Sequence, residues 1–181
     1  MSTGEIAAIG TLAALAFWML GAYNRLVRLR QAIVTAFAQV DMCFRQRHDL
    51  LAELIAAATE KLADAPEAAA AVDAARRQAR IAAEHAAQRS ANAGRLASLV
   101  LAEQVLRSAL SRLITLVKTR PAMRADPRLR AVTKELSTVQ SRLSAARDGF
   151  NTTVLDYNRS MRQFPTRLVA AIFGFHAAGE L

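Results

Sequence analysis

The chain has 181 residues, 53% of them hydrophobic, with a formal net charge of +9 and one cysteine. That length suits one domain with a real core and leaves little room for a second, and a lone thiol excludes a disulfide framework. Seven glycines and four prolines supply few turns, which favours long helices, while the positive balance favours acidic partners such as anionic lipid or nucleic acid.

After a short N-terminal tail (residues 1–5), the run "IAAIGTLAALAFWMLGA" from Ile6 to Ala22 carries no charge. As a helix it would span about 26 Å, just enough for a slightly thin bilayer core. Trp18 and Tyr23, near its C-terminal end, suit the interfacial aromatic belt. A cleaved signal peptide would open on positive charge, whereas "MSTGE" holds Glu5. A core helix would show a polar face, and this segment shows none. The expectation is a retained transmembrane helix over residues 6–22. Arg25, Arg28 and Arg30 follow it directly and no Lys or Arg precedes it. The positive-inside rule therefore puts the N-terminus outside and the remaining chain in the cytoplasm.

No glycine or proline interrupts Tyr23 to Ala65. Leu26, Leu29, Ile33, Phe37, Val40, Phe44, Leu51, Leu54 and Ala58 follow a three-four spacing, so one helical stripe continues from the span without a joint. This helix is expected to end near Asp64, with Asp64 as N-cap of the next and Pro66 in its first turn. From Pro66, Val72, Ala75, Ala79, Ala82 and Ala86 form a thin stripe, and from Leu96 to Val117 a stronger leucine stripe follows out of phase. The slip falls at "SANAG" (Ser90–Gly94), where Asn and Gly weaken a helix, so a break is expected there.

"TRPAMRADP" (Thr119–Pro127) reads as a loop. Leu129, Val132, Leu136, Val139, Leu143, Ala146, Phe150, Val154, Tyr157 and Met161 then make the cleanest stripe in the chain, which Pro165 stops or kinks. The fold class is all-α: a transmembrane helix running into an antiparallel four-helix up-and-down bundle over residues 23–163, with an apolar tail at 164–181. Without the break near Gly94 there would be three long helices. The tripeptide Tyr-Asn-Arg, at Tyr23–Arg25 and again at Tyr157–Arg159, distinguishes the two. Four helices bring both copies to the membrane-proximal end, and three put them at opposite ends.

The stretch "YNRLVRLRQAI…AFAQVDMCFRQRHDLLAELI" resembles the start of the LemA family domain, and "ARDGFNTTVLDYNRSMRQFPTRLVAAIFGF" resembles its end, Phe-Pro included. The resemblance runs from about residue 22 to 175. It implies a bacterial, inner-membrane, single-span protein with a helical-bundle domain and a small outer N-terminus, and no settled molecular activity. The chain departs from the family pattern at Ala52 and Glu53, usually Pro and Asn, at Phe150, usually Tyr, and at Gln140, usually Glu.

Arg45, Arg47, His48 and Asp49 form the densest polar group. Adjacent His and Asp on one helix point about 100° apart and cannot form a relay by themselves. His85 and His176 are isolated and no metal-pair spacing occurs, so no catalytic residue, metal or cofactor is expected. Cys43 beside the stripe reads as a buried inert thiol, and "ARRQAR" (Ala75–Arg80) as a solvated charge run. Nucleic acid is an unlikely partner, because no aromatic stacking surface accompanies these arginines. Tyr157 should bury its ring and find a partner for its hydroxyl. Asn24 and Asn158 are candidates for tying helix ends together. Phe164, Leu168, Ile172, Phe173 and Phe175 are too apolar to lie free in water. They either fold onto the bundle or touch the membrane interface with help from Arg162 and Arg167. The reading is a non-enzymatic, membrane-anchored interaction module for other membrane proteins or for itself. Its alternative is a module that binds anionic lipid through the basic face and apolar tail.

Overall fold

The computed structural model describes residues 3–62 and 64–181; the first two residues of the expected N-terminal tail lie outside the described residues. Those described are helical, without a strand among them. α1 (Thr3–Thr59) is unbroken from the apolar segment to the far end of the domain, as the uninterrupted stripe requires. It starts within the expected tail, at Thr3 rather than Ile6. α2 (Pro66–Gln88) and α3 (Ala93–Thr119) follow, then the single turn α4 (Pro121–Arg124), α5 (Pro127–Arg162) and the short α6 (Thr166–Ile172).

The expected break at "SANAG" is present. α2 ends at Gln88, and Asn92 caps α3 by accepting the Arg95 backbone N–H at 3.0 Å. Asp126 caps α5, its Oδ1 accepting from the N–H groups of Arg128 and Leu129 at 2.8 and 3.2 Å. The expected cap at Asp64 is not formed. α1 stops earlier, at Thr59, and Ala65 is the N-cap of α2 with no side-chain bond. The Asp64 carboxylate turns instead to Arg120 at 2.6 Å, and that bond holds the carboxyl below the usual range. Pro66, whose missing N–H costs nothing in a first turn, opens α2 alone.

Contacts fix how the long helices lie. Arg25 meets Ser160, Phe37 meets Phe150 edge-on at 5.6 Å, and Lys61 meets Asp126 at 3.0 Å. Residue numbers thus climb along α1 as they fall along α5, and both Tyr-Asn-Arg copies sit at one end, beside the apolar segment.

Two apolar cores fill the interior. The far one joins Leu51, Leu54, Leu62, Val72, Leu106, Leu113, Leu129 and Val139. The near one joins Leu26, Ile33, Phe37, Phe44, Leu99, Phe150, Val154 and Tyr157, together with Val169, Ala170 and Ala178. Residues 164–181 are therefore not a separate tail. They fold back and complete the near core.

Candidate functional site: a buried polar layer and a pinned C-terminal strap

Among the described residues, one helix is long and apolar enough to cross a membrane. The most apolar 18-residue stretch of α1 has mean hydropathy 1.8 and is only 6% buried, with Leu12 66% and Phe17 76% exposed. Large side chains in that state need a non-aqueous neighbour, because each loses about 1.5–3 kcal/mol by remaining in water.

Inside the domain, Arg47, His48, Glu103 and Arg147 gather near the junction of the two cores. The apolar stripes thin there, to a gap on α1 and to single alanines on α3 and α5. On α1, Arg47 and His48 stand between Phe44 and Leu51; on α3, Glu103 follows the small Ala102 between Leu99 and Leu106; on α5, Arg147 follows Ala146 between Leu143 and Phe150. Glu103 is buried and joins the two arginines. Arg47 Nη2 donates to its Oε1, and Arg147 Nη2 donates to its Oε2 at 3.1 Å. Both guanidinium groups also lie over the Phe44 ring, at 5.2 and 5.3 Å from its centroid, where the negative face of the ring adds to the stabilisation. Burial pulls the Arg147 pKa below the ordinary guanidinium value, with Glu103 opposing.

His48 is buried beside this layer, and neither ring nitrogen has a hydrogen-bond partner in the described protein; Nε of Arg47 and of Arg147 share that state. Burial first, then the Arg47 charge, lowers the His48 pKa to about 4, against Glu103, which raises it. Arg76 and Arg80 of α2 push in the same direction as Arg47. The imidazole is therefore neutral at physiological pH.

The four neighbours in sequence do not act together. Arg45 and Asp49 are exposed, Arg45 pairing with Asp41 one turn back at 2.8 Å, while Arg47 and His48 turn inward. Cys43 is buried, as its position predicts. In the charge run, Arg77 and Arg80 are solvated, whereas Arg76 is half-buried against Asp73. Glu103 and Arg147 went unread in the sequence; the only local signal is that each follows a small stripe residue, Ala102 or Ala146.

At the other end, the Tyr-Asn motifs divide their roles. Tyr157 buries its ring and donates its hydroxyl to the His176 carbonyl at 3.0 Å, and burial raises its pKa. Asn158 takes both backbone groups of Ala178, donating at 3.0 Å and accepting at 2.9 Å. Asn151 does the same for Leu181, at 2.8 Å each way. These paired bonds are backbone-mimicking and pin residues 174–181 as a strap. Asn24 is exposed and makes no such bond; its neighbour Arg25 reaches Ser160 at 3.2 Å instead. Tyr23 stacks on the strap, with ring centroids 4.9 Å from Phe173 and 5.8 Å from Phe175. Trp18 lies 5.9 Å from Phe164, beside the Phe164–Pro165 turn. Arg28 and Arg30 are exposed on α1.

The LemA family model matches residues 36–181, which takes in all of the domain after the first turns of α1, and the strap as well. The chain belongs to the LemA family. The match extends past residue 175 to Leu181, in keeping with a LemA domain whose core includes its C-terminus, and leaves the apolar segment outside it. A comparison with curated proteins finds no relative. Within this LemA domain, Arg47, His48 and Glu103 are buried, Arg147 is partly exposed at the edge, and the three charges pair with one another. That arrangement fixes how α1, α3 and α5 register against one another.

Proposed function

We propose that this LemA-family chain is a non-enzymatic, single-pass protein of the bacterial inner membrane. Its cytoplasmic domain is an antiparallel up-and-down bundle that serves as an interaction module. The carrying observation is α1, which runs without interruption from an exposed apolar segment into the core of the domain. Anchoring then does two things. It raises the local concentration of the bundle for partners in the same membrane, and it presents the bundle upright on a rod rather than on a flexible tether. The arginines at 25, 28 and 30 support the orientation. The engagement of Arg47, Glu103 and Arg147 with one another, away from the surface, supports a structural rather than a chemical use of the densest charges. The partners are other membrane proteins or a second copy of this chain.

Cross-linking in intact membranes tests this. Cysteines placed at exposed apolar positions on three faces, Met42→Cys on α1, Leu101→Cys on α3 and Leu155→Cys on α5, carry a short bifunctional linker in turn. Capture of a defined membrane protein, or of a second copy, from one face and not the other two is the expected result. Capture of lipid alone from all three faces would overturn the interaction reading and favour a module that works on the lipid surface.

A further inference from the structure

The turn after α5 and the helix α6 have two faces of opposite character. Thr166, Val169 and Ala170 are buried against α1 and α5, while Phe164, Leu168, Ile172 and Phe173 are 79, 52, 66 and 52% exposed. Four large apolar side chains on one short stretch are not explained by packing within the domain. Their height along α1 explains them. Phe164 is level with Trp18, inside the uncharged run, and Phe173 is level with Tyr23 at its end. Five residues of helix separate these levels by about 7.5 Å.

The uncharged run itself is short. Its helical length of about 26 Å falls below the roughly 30 Å of a bilayer's hydrocarbon core, so the Trp18–Tyr23 level lies at the boundary between acyl chains and headgroups. The bare face of α6 and the turns flanking it is therefore held where lipid, not water, would cover it. Arg162 and Arg167 flank it, exposed and free to reach anionic headgroups while their stems cover apolar surface. This stretch cannot easily withdraw, because Tyr157, Asn158 and Asn151 tie the strap that follows it to α5.

We propose that residues 164–173 form a membrane wedge: Phe164, Leu168 and Ile172 enter the same leaflet through which α1 emerges, widening the anchor from one helix to a two-point footing. The footing sets the tilt and depth of the bundle above the membrane. This inference rests on the reading of α1 as a membrane span, and the test separates the two.

The full chain is reconstituted in vesicles of phosphatidylcholine and phosphatidylglycerol with brominated acyl chains, which quench tryptophan on contact. Trp18 is the one native tryptophan, and its quenching reports the span. On a Trp18→Phe background, Phe164→Trp and, separately, Ile172→Trp report the wedge, the second independently of the Trp18–Phe164 contact. Glu60→Trp, in the turn just after the far end of α1, is the aqueous control. Quenching and a blue-shifted emission for Phe164→Trp and Ile172→Trp, with the control unaffected, is the expected result. Quenching of Trp18 alone would overturn the wedge and leave the anchor standing. If Trp18 itself escapes quenching, the span reading fails and the wedge fails with it.

Discussion

Replacing Glu103 by alanine should cost the domain about 3–5 kcal/mol, because it leaves the buried Arg47 charge and the partly buried Arg147 charge without their shared carboxylate. Against a typical domain stability of about 5–15 kcal/mol, that is a large share of the whole. Thermal unfolding of the full chain in mild detergent, followed by helical circular dichroism, reads it directly. The complementary variant removes the layer entirely: Arg47→Met, Glu103→Leu and Arg147→Met together should recover most of the loss, since an apolar layer needs no charge compensation. A Glu103→Ala protein that melts with the parent would show that the arginines reach water, and that the layer is not sealed. A triple variant that recovers stability but loses a single sharp transition would show what the layer does best, which is to fix register between the two cores.

Acidification should weaken the fold through His48. Its pKa is depressed to about 4 in the folded chain and near 6.5 when unfolded, so the unfolded state binds the proton more readily between those values. Stability from this group is therefore fully present above about pH 6.5 and is lost as the pH falls toward 4. The loss between pH 7 and pH 5 is about 2 kcal/mol by linkage. His48→Leu fills the same buried site without a titrating group and should flatten that part of the profile, leaving any slope due to carboxylates. Parallel pH profiles for parent and variant would contradict a buried neutral imidazole.

These two residues also show where sequence reading ends. The apolar stripes of α1 and α5 were legible because a three-four spacing survives without knowledge of any partner helix, and the break before Asn92 was legible because Asn and Gly mark it locally. Asp64 misled because a cap is a competition. The residue type suits an N-cap, but Arg120, 56 positions away, offers a stronger bond. Glu103 and Arg147 carry no local pattern on their own helices that distinguishes them from surface charges. Only the folding of α1, α3 and α5 brings these charges together around the buried Glu103 carboxylate. The strap was half legible. Its hydrophobicity required cover, but the bonds from Asn151 and Asn158 to Leu181 and Ala178 join positions 20 to 30 residues apart, and no local pattern announces them. Asn24 matched the motif of Asn158 letter for letter and differs in role, since the strap passes only one of them.

The central claim is that anchor and bundle share a single rigid helix. Spin labels at Leu20→Cys and Asp49→Cys, both exposed on α1, placed on a Cys43→Ser background and measured by double electron–electron resonance in vesicles, test it most directly. An unbroken helix puts these positions about 44 Å apart, so a narrow distribution near that distance is the expected result. A broad distribution, or one centred well short of it, would mean that the span and the bundle are jointed, and the upright presentation proposed for this LemA domain would not hold.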